Sequence, residues 1–188
     1  MAIAGLITDC EQLLPTAHYK MTLREILSTV LLFLLYLILQ ILLVRNLVLF
    51  DYAFCFVYIA CVLLLPNETS LTWLLVIGFV TGIIVDSFYN TLGMHAAATV
   101  LMAYCRPLVV RSQIDVPGME SRLEFSLKEL GVGAFFRYVF ILALVHHSAL
   151  FFIEASSLAL LIPTLIRIGA STLFTTVTIV LVQFFTRN

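Results

Sequence analysis

LTWLLVIGFVTGIIVDSFYNTLGMHAAATVLMAYCRPLV, residues 71 to 109, decides the reading of the fold, because it holds the only dense pattern of small and polar residues in a very apolar chain. Gly78, Gly82 and Asp86 recur every fourth residue, along one slowly drifting stripe of a helix. A polar elbow follows at Ser87, Tyr89, Asn90 and Thr91, then Gly93 and His95, and after it Ala96, Ala97, Ala98 and Thr99. Small residues on two successive helices let backbones approach closely, which is how helices associate in lipid, where no hydrophobic drive presses them together. The stripe is therefore expected to be a packing seam with one carboxylate in it.

Composition around this stretch sets the class. The 188 residues are 62% hydrophobic and 11% charged, with a mean hydropathy of +1.12, whereas soluble domains are about a quarter charged. The chain reads as an all-α polytopic membrane protein. Its apolar runs are continuous and lack the alternation of outer-membrane strands, which excludes a barrel. A net charge of -1 without a basic tail or acidic block argues against a nucleic-acid partner or a funnel for charged substrates. Cys10, Cys55, Cys61 and Cys105 are scattered without metal-ligand spacing and read as free thiols. No cofactor or metal is implied.

Six transmembrane helices are expected. The first, 26 to 44, is long enough to cover a hydrocarbon core of roughly 30 Å. It is too long for a signal-peptide core and no A-x-A site follows, so it should stay as an anchor. The second, 47 to 65, carries Asp51 near its start and stops at Pro66-Asn67-Glu68. The third, 71 to 88, opens with Thr72 and the only tryptophan, Trp73, suited to the headgroup interface. The fourth, 92 to 110, is read as emerging into water at Arg106-Pro107. A charged loop at 111 to 130 follows, with an amphipathic surface helix from Met119 to Leu130 on the spacing of Leu123, Leu127 and Leu130. The fifth, 132 to 153, is interrupted by Arg137, His146 and His147 and closed by Glu154; the sixth runs 158 to 185 past Pro163. Residues 1 to 21 form either a short cytoplasmic extension or a stretch before a true start at Met21, leaving 22 to 188 as the transmembrane domain.

Lys and Arg set the orientation. With an even number of spans and a cytoplasmic amino terminus, the inner segments hold Lys20, Arg24, Arg106, Arg111, Arg122, Lys128 and Arg187, and the outer ones Arg45 and Arg167. Both termini are then cytoplasmic, and Asp51, the Asp86–Gly93 elbow and Glu154 face outward. Acidic residues in the inner loop cancel its basic ones, so a plain solvated loop is expected there rather than an anionic-lipid contact.

An ionisable group in a span needs a partner or a wet cavity. Arg167 is the expected partner of Asp86, with Arg45 next. His146-His147, with Ser148 and Glu154 beyond, invites a metal or hydrolase reading, but adjacent helical residues point about 100° apart and do not easily share an ion. His95 could join them across helices; hydrogen-bonded packing is the favoured reading, as it is for Tyr36, Gln40, Tyr58 and Tyr104. No HExxH, nucleophile elbow or phosphate loop occurs, and nothing argues for an enzyme.

The pattern GxxxGxxxD at Gly78, Gly82 and Asp86, then Leu92-Gly93 and a small-residue helix ending Ala103-Tyr104, resembles the central hairpin of the rod shape-determining protein MreD family. That family commonly reads Ser-Gly after the aspartate region, whereas this elbow reads Ser87-Phe88-Tyr89-Asn90. The resemblance implies a non-catalytic inner-membrane scaffold of the cell-elongation machinery. Such a protein binds the bitopic protein MreC and helps couple cytoplasmic MreB filaments to the cell-wall synthases. Gly78, Gly82, Asp86, Asn90, Gly93 and Arg167 are its candidate helix-packing and partner-contact residues.

The same resemblance implies a compact bundle like the substrate-binding S-components of energy-coupling factor transporters, so a transporter subunit is the rival reading. Fold kinship does not give function. Those subunits typically present an AxxxA face on the first helix, and residues 26 to 44 contain no alanine.

Overall fold

The computed structural model describes residues 23–44, 47–50, 52–67, 69–114, 127–155 and 161–186. The amino-terminal extension, Met21, Arg45, Asp51, Arg122, Arg187 and most of the 111–130 loop lie outside the described residues.

Helix α1, Leu23–Ile38, continues as a π-helical turn over Leu39–Val44. Being apolar all round, its composition does not say which face is inward. Its two buried polar residues do: Tyr36 and Gln40 lie one turn apart, with Val44 a turn further on the same buried face, while Leu31, Leu34, Ile38 and Leu42 are exposed.

The segment expected to be the second helical span departs from that reading. It forms a short antiparallel hairpin of β1, Val48–Leu49, and β2, Ala53–Phe54. Extended residues follow, then a 3-10 turn at Val57–Ile59 and the one-turn helix α2, Ala60–Leu63. Every residue from Cys55 to Leu63 is buried. Non-helical backbone at membrane depth is tolerated only inside protein, and this segment is enclosed by all the long helices.

Helix α3, Leu71–Tyr89, turns back into α4, Met94–Ile114. Helix α5, Leu127–Ala155, is broken near its start at Gly131, where φ is 73° and ψ 162°, and α6 runs Leu161–Thr186. Helices α3 to α6 pack consecutively, α6 closes on β2, and α1 closes on α2. The expected exit of the fourth span at Arg106 is also corrected, since α4 continues through Pro107 and Arg106 is only 1% exposed.

Among the described residues, four segments are long and apolar enough to cross a membrane: Leu27–Val44, Leu71–Tyr89, Leu130–Ala155 and Leu161–Thr186. Large hydrophobics such as Phe79, Val80, Ile83, Leu165 and Leu173 are among their exposed side chains. Four such helices in a mostly helical chain fit an all-α membrane protein.

Candidate functional site

The α3–α4 hairpin is built on Gly82. A Cβ placed there would lie 2.3 Å from Ala96 Cα and 2.6 Å from Ala96 N, so only glycine admits the α4 backbone this close. At Gly78 the fit is looser, with Ala103 Cβ at 3.3 Å and the Thr99 carbonyl oxygen at 3.4 Å. The close approach at Gly82 brings the first turn of α4 beside Asp86, one helical turn further along α3.

Asp86 then joins both helix ends. Its backbone carbonyl accepts the N–H of Asn90, which closes α3 in the left-handed region at φ 55° and ψ 39°, and that of Thr91 at 3.1 Å. Asparagine is the usual alternative to glycine at such a position. The carboxylate serves α4: Oδ1 accepts the backbone N–H of His95 and Oδ2 that of Ala96, both at 3.0 Å, and the Thr91 hydroxyl also donates to Oδ1. Gly93, at φ 82°, precedes α4 without a side chain that could cap it. Asp86 supplies that oxygen from the preceding helix, at the positive end of the α4 dipole.

Five of the six sequence-selected residues thus meet in one seam and turn, and Arg167 does not join them. The expected Asp86–Arg167 pair is replaced by an Arg167–Glu154 pair at 3.7 Å, with both side chains well exposed. The Arg167 guanidinium also lies over the Phe54 ring, 5.5 Å from its centre. Asp86, 4% exposed, finds its partners in backbone amides instead.

Next to the turn lies a buried polar cluster. Tyr58 Oη is 2.7 Å from His146 Nε2, 3.1 Å from His95 Nδ1 and 3.1 Å from Thr99 Oγ1. His147 faces another way, its Nδ1 2.6 Å from the Ala143 carbonyl and its Nε2 3.2 Å from the Thr175 hydroxyl. The three imidazoles surround the Phe56 ring at 5.2, 6.1 and 5.5 Å between centroids for His95, His146 and His147. Adjacent histidines therefore serve different neighbours, as their angular separation requires. Among the described residues no group of three or more His, Cys, Asp or Glu is arranged to hold a metal.

Hydroxyls on α6 replace the hydrogen bonds that the non-helical segment lacks. Ser171 Oγ accepts the N–H of Phe54 at 2.9 Å, and Thr175 Oγ1 accepts that of Phe56 at 3.0 Å. The registers agree: four helical residues rise about 6 Å and two extended residues about 6.6 Å. Gln40 completes the set, donating to the Cys55 carbonyl at 3.2 Å and to Tyr89 Oη at 2.6 Å, and accepting the Tyr58 N–H at 3.4 Å.

The other end of this segment is capped from α4 and α5. Tyr138 Oη donates to the Leu63 carbonyl at 2.8 Å, Arg106 Nε donates to Tyr138 Oη at 2.8 Å, and Arg106 Nη2 donates to the Leu65 carbonyl. A buried cation at the carbonyl end of α2 satisfies groups that a helix leaves unpaired. Sequence reasoning missed Arg106, Ser171 and Thr175 in these roles. The i, i+4 recurrence of hydroxyls at Ser171-Thr175 and Thr172-Thr176 is the signal that points to them.

No protein-family description, curated protein or solved structure matches the chain.

Proposed function

We propose that this chain is a non-catalytic membrane scaffold of the kind the MreD resemblance implies. The observation that carries the reading is the use made of Asp86. Both carboxylate oxygens of the residue most specific to the resembling motif are bound to the amides of the next helix, which is what a shape-holding element requires. The buried imidazoles likewise sit in hydrogen bonds with Tyr58, Thr175 and the α5 backbone.

In this reading the chain crosses the inner membrane six times with both termini cytoplasmic, the second traverse being made by the hairpin, the extended residues and α2. Its lipid-facing helices hold an MreC-like bitopic partner, and through it MreB filaments and the wall synthases, in register. Depletion in native cells tests this. The reading expects elongated cells to round and widen while envelope precursors continue to be made. Unchanged shape, with failure to take up a small molecule, would replace it with the transporter-subunit reading.

A further inference from the structure

The proton count around Tyr58 singles out one interior atom. The Thr99 hydroxyl places its single proton on the His95 carbonyl, 2.7 Å away, which can only accept. Its oxygen therefore meets Tyr58 Oη, at 3.1 Å, as an acceptor, and Tyr58 must be the donor. Having given its one proton, the phenol oxygen accepts from His95 Nδ1 and His146 Nε2. Both nitrogens then carry hydrogen. Neutral His146, with its proton on Nε2, presents a bare lone pair at Nδ1, and that atom is buried and has no hydrogen-bond partner. His147 has the opposite tautomer, because its Nδ1 faces a carbonyl and must donate.

We propose that His146 Nδ1 is a proton-binding site built into the interior of the protein. A hydronium ion breaks one O–H bond and leaves as water, its proton forms an N–H bond with the Nδ1 lone pair, and His146 becomes an imidazolium carrying the transferred positive charge. Nε2–H stays on Tyr58, so no bond of the network has to break to admit the proton. Uptake charges the cluster that grips the non-helical segment, and makes that grip respond to pH.

The surroundings are defined on every side. The central segment contributes Tyr58 and the Phe56 ring, α4 His95 and α5 the neighbouring His147; through Tyr58 the cluster also meets Asp86 and Tyr89 of α3 and Cys61, and through His147 the Thr175 hydroxyl of α6. Asp86 is the one carboxylate among these groups. The Phe56 ring lies 6.1 Å from that of His146, tilted 59° to it.

The test is nuclear magnetic resonance of the full chain in nanodiscs, isotopically labelled only at histidine ring nitrogens and assigned by the signals lost in His146→Gln and His147→Gln. At neutral pH the proposal expects a bare Nδ1 and a protonated Nε2 at His146, and the reverse at His147. Stepwise acidification should replace the bare Nδ1 signal with a protonated one while the Nε2 proton persists. A protonated His146 Nδ1 at neutral pH overturns the proposal, and so does a lone-pair signal that survives until the protein unfolds. Tyr58→Phe removes the group that fixes the tautomer, so His146 should become a tautomer mixture; an unchanged single tautomer also overturns it. The wild-type spectra decide by themselves if that variant fails to fold.

Discussion

Asp86 and His95 are held together by a 3.0 Å hydrogen bond from the backbone amide of His95 to the Asp86 carboxylate, so the capping oxygen of α4 comes from α3. Asp86→Asn leaves one acceptor oxygen for two amides and orphans the N–H of either His95 or Ala96. It should lower stability by about 1–3 kcal/mol, and Asp86→Ala, which orphans both, should cost more. Denaturant unfolding in a defined detergent checks the order.

The absence of Arg167 from this arrangement makes a second expectation. Asp86→Ala and Arg167→Ala should be additive in a double-mutant cycle, to within about 0.5 kcal/mol. Arg167 answers to Glu154 and Phe54 instead. Partial recovery in the double mutant would restore the direct pair.

The two seam glycines should differ sharply. Gly82→Ala drives a methyl to 2.3 Å from the Ala96 backbone, where no side-chain rotation relieves it, and should reduce folded yield severely. Gly78→Ala meets Ala103 Cβ at 3.3 Å and should cost about 1 kcal/mol or less. Size-exclusion yield and melting temperature of the two variants measure the contrast.

Thr175→Val removes the acceptor of the buried Phe56 N–H at nearly constant volume, and should destabilise by about 1–3 kcal/mol. Loosening of the segment should also expose Cys55, now buried beside Thr175 and Thr178, so maleimide labelling of Cys55 should accelerate. Ser87→Ala, at an exposed hydroxyl bonded only to its own helix, is the control and should change neither.

The hairpin was readable in the sequence because its information is local. Gly78, Gly82, Asp86 and Gly93 lie within sixteen residues, and small-residue spacing maps directly onto a helix face. The broken form of the 47–65 segment was not readable, because a continuous apolar run looks the same whether it becomes a helix or a buried extended segment. What decides between them is Ser171 and Thr175, more than a hundred residues away. Arg106 misled for a related reason. A cation at the end of an apolar run signals an exit to water unless a carbonyl-rich helix end is waiting inside, and here Leu65 supplies one.

The scaffold reading is tested most directly by affinity purification of the tagged full chain from native membranes in mild detergent, with mass spectrometry of what accompanies it. The account predicts a single-span partner with a large outer coiled-coil domain, together with cell-wall synthases. Paired ATPase subunits with a membrane coupling protein would contradict it and make the chain a transporter subunit.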